Sequence, residues 1–314
     1  MPILDDICTA KTKGIAAKDV AQTGNYPVFG ATGLVGYLDT FEVENEYIGI
    51  IKDGAGVGRT NIYPAKSSLL GTMQYILPKE NTDIKYLMYL LRSLNLGCSS
   101  AGAAIPHIYF KNYKKNIVPN FDLNKQRCIS KLLEKIENLI VLKKKQLFSL
   151  DELVKSRFIE MFENKNFEEK KWFDVVNIIN GKDYKKIPNI SGTYPIYGSG
   201  GYMGIRCDQY LCNENSVIIG RKGNVTNPIF VKEKYWNVDT AFGIETKDCL
   251  NPYYFYYHTL TVDLSSLVSG AAIPSMTKTS LQKIKIIVPP IELQNSFAGF
   301  VKQVDKSKFV VSLA

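Results

Sequence analysis

Histidine is nearly missing from this chain: His107 and His258 are the only two among 314 residues. Neither has a partner cluster in sequence, so imidazole acid–base or metal chemistry finds no support and both read as ordinary histidines. The six cysteines, Cys8, Cys98, Cys128, Cys207, Cys212 and Cys249, never take CxxC spacing, which argues against a zinc site or a dithiol redox motif. Scattered thiols suit a reducing compartment. The sequence shows no signal peptide and no apolar run of bilayer length, so no membrane is expected and the cytoplasm is the expected location. Proline and glycine are absent from Asn124 to Glu163, which leaves nothing there to break a helix.

What is present is a basic chain able to build a core. Hydrophobic residues make up 45%, enough for two ordinary domains, and 39 Lys+Arg against 30 Asp+Glu give a net charge of +9. That excess favours a polyanionic partner, nucleic acid before membrane.

An internal repeat organises the sequence. At an offset of 168 residues, Gly24, Tyr26, Pro27, Gly30, Gly33 and Gly36 meet Gly192, Tyr194, Pro195, Gly198, Gly201 and Gly204. Asn45-Glu46 and Ile50-Ile51 meet Asn213-Glu214 and Ile218-Ile219, and Thr72 meets Thr240. Gly102-Ala103-Ala104-Ile105-Pro106 meets an identical stretch, Gly270 to Pro274, while Lys115 and Gln126 meet Lys283 and Gln294. A period this long marks a duplicated domain rather than a solenoid. His107 meets Ser275, so the histidines are not equivalent.

Each copy reads as strands and turns. Tyr26–Gly30 and Tyr194–Gly198 are expected as short strands entering glycine turns, and Tyr47–Ile51 and Val217–Ile219 as buried strands. Met73–Leu77 and Ala241–Ile244 follow as strands, then helices over Ile84–Arg92 and Tyr253–Thr259. Asn116–Pro119 and Ile284–Pro289 are expected as closing strands. From Asn124 to Glu163 the period changes. Ile129, Leu133, Ile136, Ile140, Leu147, Leu150, Val154 and Met161 recur mostly at steps of three and four, predicting one amphipathic helix with a coiled-coil-like seam. Glu163–Lys171 reads as a charged, solvated linker, and Leu293–Ala314 starts a second, shorter helix with Phe297, Phe300, Val301 and Val304 on one face. The first seven apolar positions are expected to pack antiparallel against those four, leaving part of the long helix for a partner.

The Gly-Ala-Ala-Ile-Pro stretches, the Val118-Pro119/Leu123 and Val288-Pro289/Leu293 steps, Gln126 and Gln294 opening the helices, and the ending Phe158-Ile159-Glu160-Met161-Phe162 carry a resemblance over nearly the whole chain. Their alternating order resembles the specificity subunit of type I restriction-modification systems. The resemblance implies an α+β fold: two repeated, mostly-β target recognition domains with short helices, separated by long spacer helices in a pseudo-twofold arrangement. Residues 1–120 and 164–290 would be the recognition domains, 121–163 the first spacer and 291–314 a second. The second spacer is shorter than the family pattern, so it is expected to be truncated or to pair with another copy of the chain. The implied partners are double-stranded DNA, methyltransferase subunits and restriction (motor-nuclease) subunits. S-adenosylmethionine, ATP and Mg are expected only in those partner subunits, with no cofactor, metal or catalytic residue in this chain.

Candidate DNA contacts are cationic, amide and hydroxyl side chains in loops that differ between the copies while their flanks agree. In the first copy these are Lys52, Arg59, Asn61, His107, Tyr109 and Lys111; in the second, Arg221, Lys222, Asn224, Thr226, Thr277 and Lys278. Arg and Lys match the acceptor edge of guanine and Asn that of adenine, although loops also diverge simply because they are loops. Lys114, Lys115 and Lys283 fit phosphates or solvent. Asn227-Pro228-Ile229-Phe230 resembles the adenine-methyltransferase motif Asn-Pro-Pro-Phe/Tyr but lacks its second proline, and reads better as a turn entering a strand. Gly54-Ala55-Gly56-Val57-Gly58 reads as a hairpin loop, because no helix follows it. A non-catalytic scaffold that does not bind DNA and a methyltransferase of unusual layout are the alternatives.

Overall fold

The computed structural model describes residues 2–11, 13–99, 106–119, 121–163, 165–185, 187, 189, 191–268 and 275–313. Of the two identical stretches only Pro106 is included; Gly102–Ile105 and Gly270–Pro274 lie outside the described residues. The chain divides into two units, Met1–Val141 and Leu142–Ala314, and the division falls inside its longest helix.

The first unit runs α1 (Leu4–Ile7), β1 (Cys8–Lys11), β2 (Tyr26–Gly30), β3 (Gly33–Leu38), β4 (Tyr47–Ile51), β5 (Thr60–Tyr63), β6 (Ser68–Leu69), β7 (Met73–Pro78), α2 (Ile84–Ser93), α3 (Phe110–Tyr113) and the start of α4 (Leu123–Phe162). An antiparallel sheet has the order β1-β7-β4-β5, and a second has β3-β2-β6 with β2 and β6 parallel. β4 is buried on both faces because alternate side chains feed two clusters. Ile48 and Ile50 join Ile76, Leu87 and Leu91, while Tyr47 and Ile51 join Leu69, Met73 and Tyr75. Each such side chain contributes about 1.5–3 kcal/mol on burial. Asp83 starts α2 by accepting a hydrogen bond from the Tyr86 amide at 2.8 Å. The expected strand at Asn116–Pro119 reduces to one bridge, Ile117 to Ile3.

The second unit continues with the rest of α4, then β8 (Glu168–Lys171), α5 (Trp172–Val175), β9 (Val176–Asn180), β10 (Tyr194–Gly198), β11 (Gly201–Cys207), β12 (Ser216–Gly220), β13 (Ile229–Val231), β14 (Trp236–Asn237), β15 (Ala241–Thr246), α6 (Pro252–Thr259), α7 (Lys278–Gln282), β16 (Lys285–Val288) and α8 (Ile291–Leu313). Its sheets β13-β12-β15-β9 and β11-β10-β14 repeat the first unit's topology strand for strand. The charged run at Glu168–Lys171 is not a free linker. It pairs along its length with Lys285–Val288, since ladder bonds use backbone groups and leave the charged side chains outside. Helix α8 lies antiparallel to the Leu142–Phe162 part of α4: the Phe162 and Phe297 rings are 5.5 Å apart at one end, and Lys308 pairs with Asp151 at 2.6 Å towards the other.

Strand pairing corrects the repeat alignment. Ile48 faces Ile76 as Val217 faces Ile244, an offset of 169 for β4 but 168 for β7. Ile50-Ile51 therefore correspond to Ile219-Gly220, not to Ile218-Ile219, and Asn45-Glu46 correspond to Glu214-Asn215. The extra residue sits in β11, which has seven residues where β3 has six. The offset returns to 168 at β13, because the turn after β12 is one residue shorter than that after β4. A one-residue slip within a strand exchanges its faces, so an ungapped comparison places Ile50 on the wrong side of its sheet.

Gln126 and Gln294 show why glutamine opens both terminal helices. Gln126 Oε1 accepts from the Asp83 amide at 2.8 Å, and Nε2 donates to the Asn81 and Phe121 carbonyls. Gln294 repeats this with the Asn251 amide and the Cys249 and Pro289 carbonyls. Both are buried. Gln126 ties the base of α2 to α4 and Gln294 ties that of α6 to α8, satisfying groups that would be costly to bury unpaired.

Candidate nucleic-acid interface

In each unit one loop extends beyond the four-stranded sheet. It runs from β4 to β5 in the first unit and from β12 to β13 in the second, and equivalent backbone bonds hold both. The amides of Lys52 and Asp53 donate to the Thr72 carbonyl at 3.0 and 3.3 Å, as those of Arg221 and Lys222 donate to Thr240 at 2.8 and 3.2 Å. A second segment crosses each loop: Ile108 N donates to the Lys52 carbonyl and Met276 N to the Arg221 carbonyl, both at 2.9 Å. The bridges Asp53–His107 and Lys222–Ser275 complete the crossing. Two chain segments distant in sequence are thereby fixed side by side. Arg221 is equivalent to Lys52, so the first position of both loops is cationic.

The loops differ in charge. Lys52 has Asp53 at 3.6 Å. At the position of Asp53 the second unit carries Lys222, and among the described residues neither Arg221 nor Lys222 makes an ion pair; both are exposed. Arg59 folds back on its own loop, with long contacts to the Gly56 and Ala55 carbonyls at 3.4 and 3.5 Å. The Asn61 carboxamide oxygen accepts from Arg92 at 3.1 Å. Tyr109 is exposed, with the His107 ring 5.3 Å away and the Lys111 ammonium 5.5 Å over its own ring. In the second unit Asn224 accepts from Asn227 at 3.1 Å and Thr226 is exposed. Thr277 caps α7 by accepting from the Ser280 amide, and Lys278 donates to the Ile178 carbonyl at 2.7 Å. Those two side chains are engaged in the fold.

Two neighbours escaped the sequence reading. Arg92 on α2 shares with Arg59, Asn61 and Asn95 a cavity of about 400 Å³; a lone helical arginine gives no sequence signal. The turn between β10 and β11 abuts the Arg221–Asn227 loop. A Cβ added to Gly223, whose φ is +75°, would lie 3.3 Å from Ser199 Oγ, and one on Gly220 would lie 3.1 Å from Ser199 Cβ.

On the helices, Val154 is buried and Leu150 partly buried with Phe297, Phe300, Val301 and Val304. Leu147, Ile129 and Leu133 are half-buried, while Ile136 and Ile140 are 44% and 49% exposed. The strongest ionisation shifts lie in the cores. Burial pushes the Cys212 thiol up to about 12 and the Tyr235 phenol well above its usual range. Burial lowers His258 to about 4, opposed by a backbone hydrogen bond at Lys285. Among the described residues no three His, Cys, Asp or Glu side chains gather as a metal site, and no helix is long and apolar enough to cross a membrane.

The sequence model of the type I restriction modification DNA specificity domain matches residues 3–151 and again 164–310. A Methanocaldococcus jannaschii protein described as a type I restriction enzyme MjaX specificity subunit is 24% identical over 96% of this chain and 85% of its own. A Haemophilus influenzae protein described as a type I restriction enzyme specificity subunit is 25% identical over 44% of this chain; the chain spans 37% of it. The crystal structure of a type I restriction-modification system S subunit from M. genitalium superposes with a TM-score of 0.69 at 16% identity, covering 99% of this chain and 90% of that one. That likeness is one of fold.

Proposed function

This chain belongs to the type I restriction-modification DNA specificity family, and on that premise we propose that each unit reads one half of a bipartite DNA target. The observation that carries this is the duplicated loop crossing: in both units a cation heads a loop pinned against a second variable segment. Arg221 and Lys222 are exposed and make no ion pair among the described residues, as contact with a guanine edge or a phosphate requires. The unbroken 40-residue helix α4 runs from one unit into the next. At 1.5 Å per residue it is about 60 Å long, a stiff spacer that sets the gap between half-sites. Exposed apolar residues along it, Ile136 and Ile140 among them, offer a docking strip for methyltransferase subunits. In this reading the chain selects DNA while its partners hold S-adenosylmethionine, ATP and Mg and perform the chemistry.

Methylation mapping with the assembled complex tests the proposal. Arg221→Ala is expected to relax one position of one half-site, at a cost of about 1–3 kcal/mol, and to leave the other half-site intact. Equal degradation of both half-sites would overturn independent reading.

A further inference from the structure

The two copies differ in length at two places between β2 and β7: one residue gained in β11 and one lost in the loop after β12. The hairpin that holds the first change abuts the segment that holds the second: a Cβ on Gly220 at the end of β12, or on Gly223 in the loop, would come within 3.3 Å of Ser199 in the β10–β11 turn. This ladder shifts register in both units, between Val28 and Phe29 and between Pro195 and Tyr197, and the gained residue enlarges the bulge in the second. Gly204 lies in this stretch of β11 with a φ of +75°, and a Cβ there would meet nothing within 4 Å. Bulges of this kind re-aim the side chains beside them.

The side chains presented there are large and apolar. Tyr202 is 50% exposed and Met203 39%. The same two places in β3 hold Leu34 and Val35, 53% and 36% exposed. Residue types changed after duplication while exposure persisted, which a purely structural hairpin would not require. The turn of the same hairpin abuts, at Ser199, the loop whose Arg221 and Lys222 have no acidic partner among the described residues, so the hairpin and loop together bring apolar groups and unbalanced positive charge to one region. Duplex DNA has the complementary chemistry: phosphates for the cations, with thymine methyls and base faces for the apolar groups.

We infer that the β10–β11 hairpin is a second DNA-contacting element of the second unit, placing Tyr202 and Met203 against bases beside those met by the Arg221–Asn227 loop. This rests on the reading of that loop as a DNA contact. The test compares three assembled complexes, each mapped for the sites it methylates: wild type, Arg221→Ala, and Tyr202→Ser with Met203→Ser. Thermal unfolding is followed in parallel. The serine variant should keep wild-type stability, because it removes exposed side chains. It should lose about tenfold or more discrimination at one or two positions in the half-site that Arg221→Ala affects, leaving the other unchanged. If Arg221→Ala relaxes its half-site and the serine variant reads as wild type, the hairpin inference fails and the loop reading stands. If neither variant changes the sites, the loop reading fails and takes the inference with it. If the serine variant loses partner subunits with its sites unchanged, the hairpin is a protein contact and the inference is overturned.

Discussion

A buried Tyr–Ser hydrogen bond occurs once in each unit, with its residues exchanged. In the first unit Tyr47 on β4 bonds Ser67 at 2.7 Å. At the equivalent positions of the second, Ser216 on β12 bonds Tyr235 at 3.1 Å. The space around each ring follows the exchange: Tyr63 and Tyr75 flank Tyr47, whereas Val231 and Gly243 stand at their places beside Ser216. The duplicated feature is thus a satisfied polar pair between a strand of the four-stranded sheet and the residue just before β6 or β14, and either side can supply the ring. The Gln126 and Gln294 ties behave differently, since both residue and partners are retained. A side chain that must reach three backbone groups at once has few substitutes, whereas a two-atom bond has two solutions.

Exchanging the pair in the second unit should break this equivalence most visibly. Tyr235→Ser alone empties a ring site that is fully buried and should cost about 3–5 kcal/mol, as for other large aromatic truncations. Ser216→Tyr alone adds a ring to a filled core and should cost about 1–3 kcal/mol. The double variant moves the ring next to Val231 and Gly243. Urea unfolding should show it more stable than the sum of the singles by at least about 1 kcal/mol. Strict additivity would mean that the two positions are not coupled as described.

This exchange could not be seen in an ungapped sequence comparison. The 168-residue offset matches Tyr47 with Asn215, one place short of Ser216. The central strands and the longer helices of each copy were nonetheless legible, while β1, β3, β6, β9, β11 and β14 were not. β2 and β10 fall where alternation and glycine turns put them, and α4 begins and ends within one residue of its expected span. β8 was missed because its charged side chains hide a pairing made entirely by backbone. The candidate DNA loops were legible as the divergent parts of matching copies. The Ser199 turn and Arg92 were not, since their place beside those loops exists only after folding.

Acid should separate the units next. His258 on α6 is packed against Trp172, whose indole N–H donates to His258 Nε2 at 3.4 Å, and its equivalent in the first unit is Leu90. Its folded pKa, about 4, lies below the unfolded value near 6.5, so the unfolded state binds more protons between these limits. The stability of the second unit is therefore complete above about pH 6.5 and falls as pH drops towards 4. The loss is up to about 3 kcal/mol, reduced by the part of the ring that still meets water. His258→Gln should flatten the dependence of urea-unfolding stability on pH in this window. An unchanged slope would place the acid-sensitive group elsewhere.

The smallest difference concerns how each long helix holds the strand behind the candidate DNA loop. Glu137 on α4 and Asp305 on α8 are equivalent acids with different cations. Glu137 pairs with Arg92 at 2.9 Å and accepts from Tyr89 at 2.8 Å, while Arg92 also donates to the Thr60 carbonyl and to Asn61 on β5. Asp305 reaches the strand side more directly, through Lys232 at 2.8 Å, the residue following β13. Both pairs are largely exposed, so neutralising either acid should cost only about 0.2–1 kcal/mol, and the effect should fade in high salt. Glu137→Gln should be felt further away than Asp305→Asn, because it loosens Arg92, which anchors two residues of β5. Amide hydrogen exchange should therefore quicken around Thr60 and Asn61 in Glu137→Gln, and only near the end of β13 in Asp305→Asn. Should both variants leave exchange unchanged at low salt, the acids only decorate the helix surface, and the loops owe their placement to backbone pairing alone.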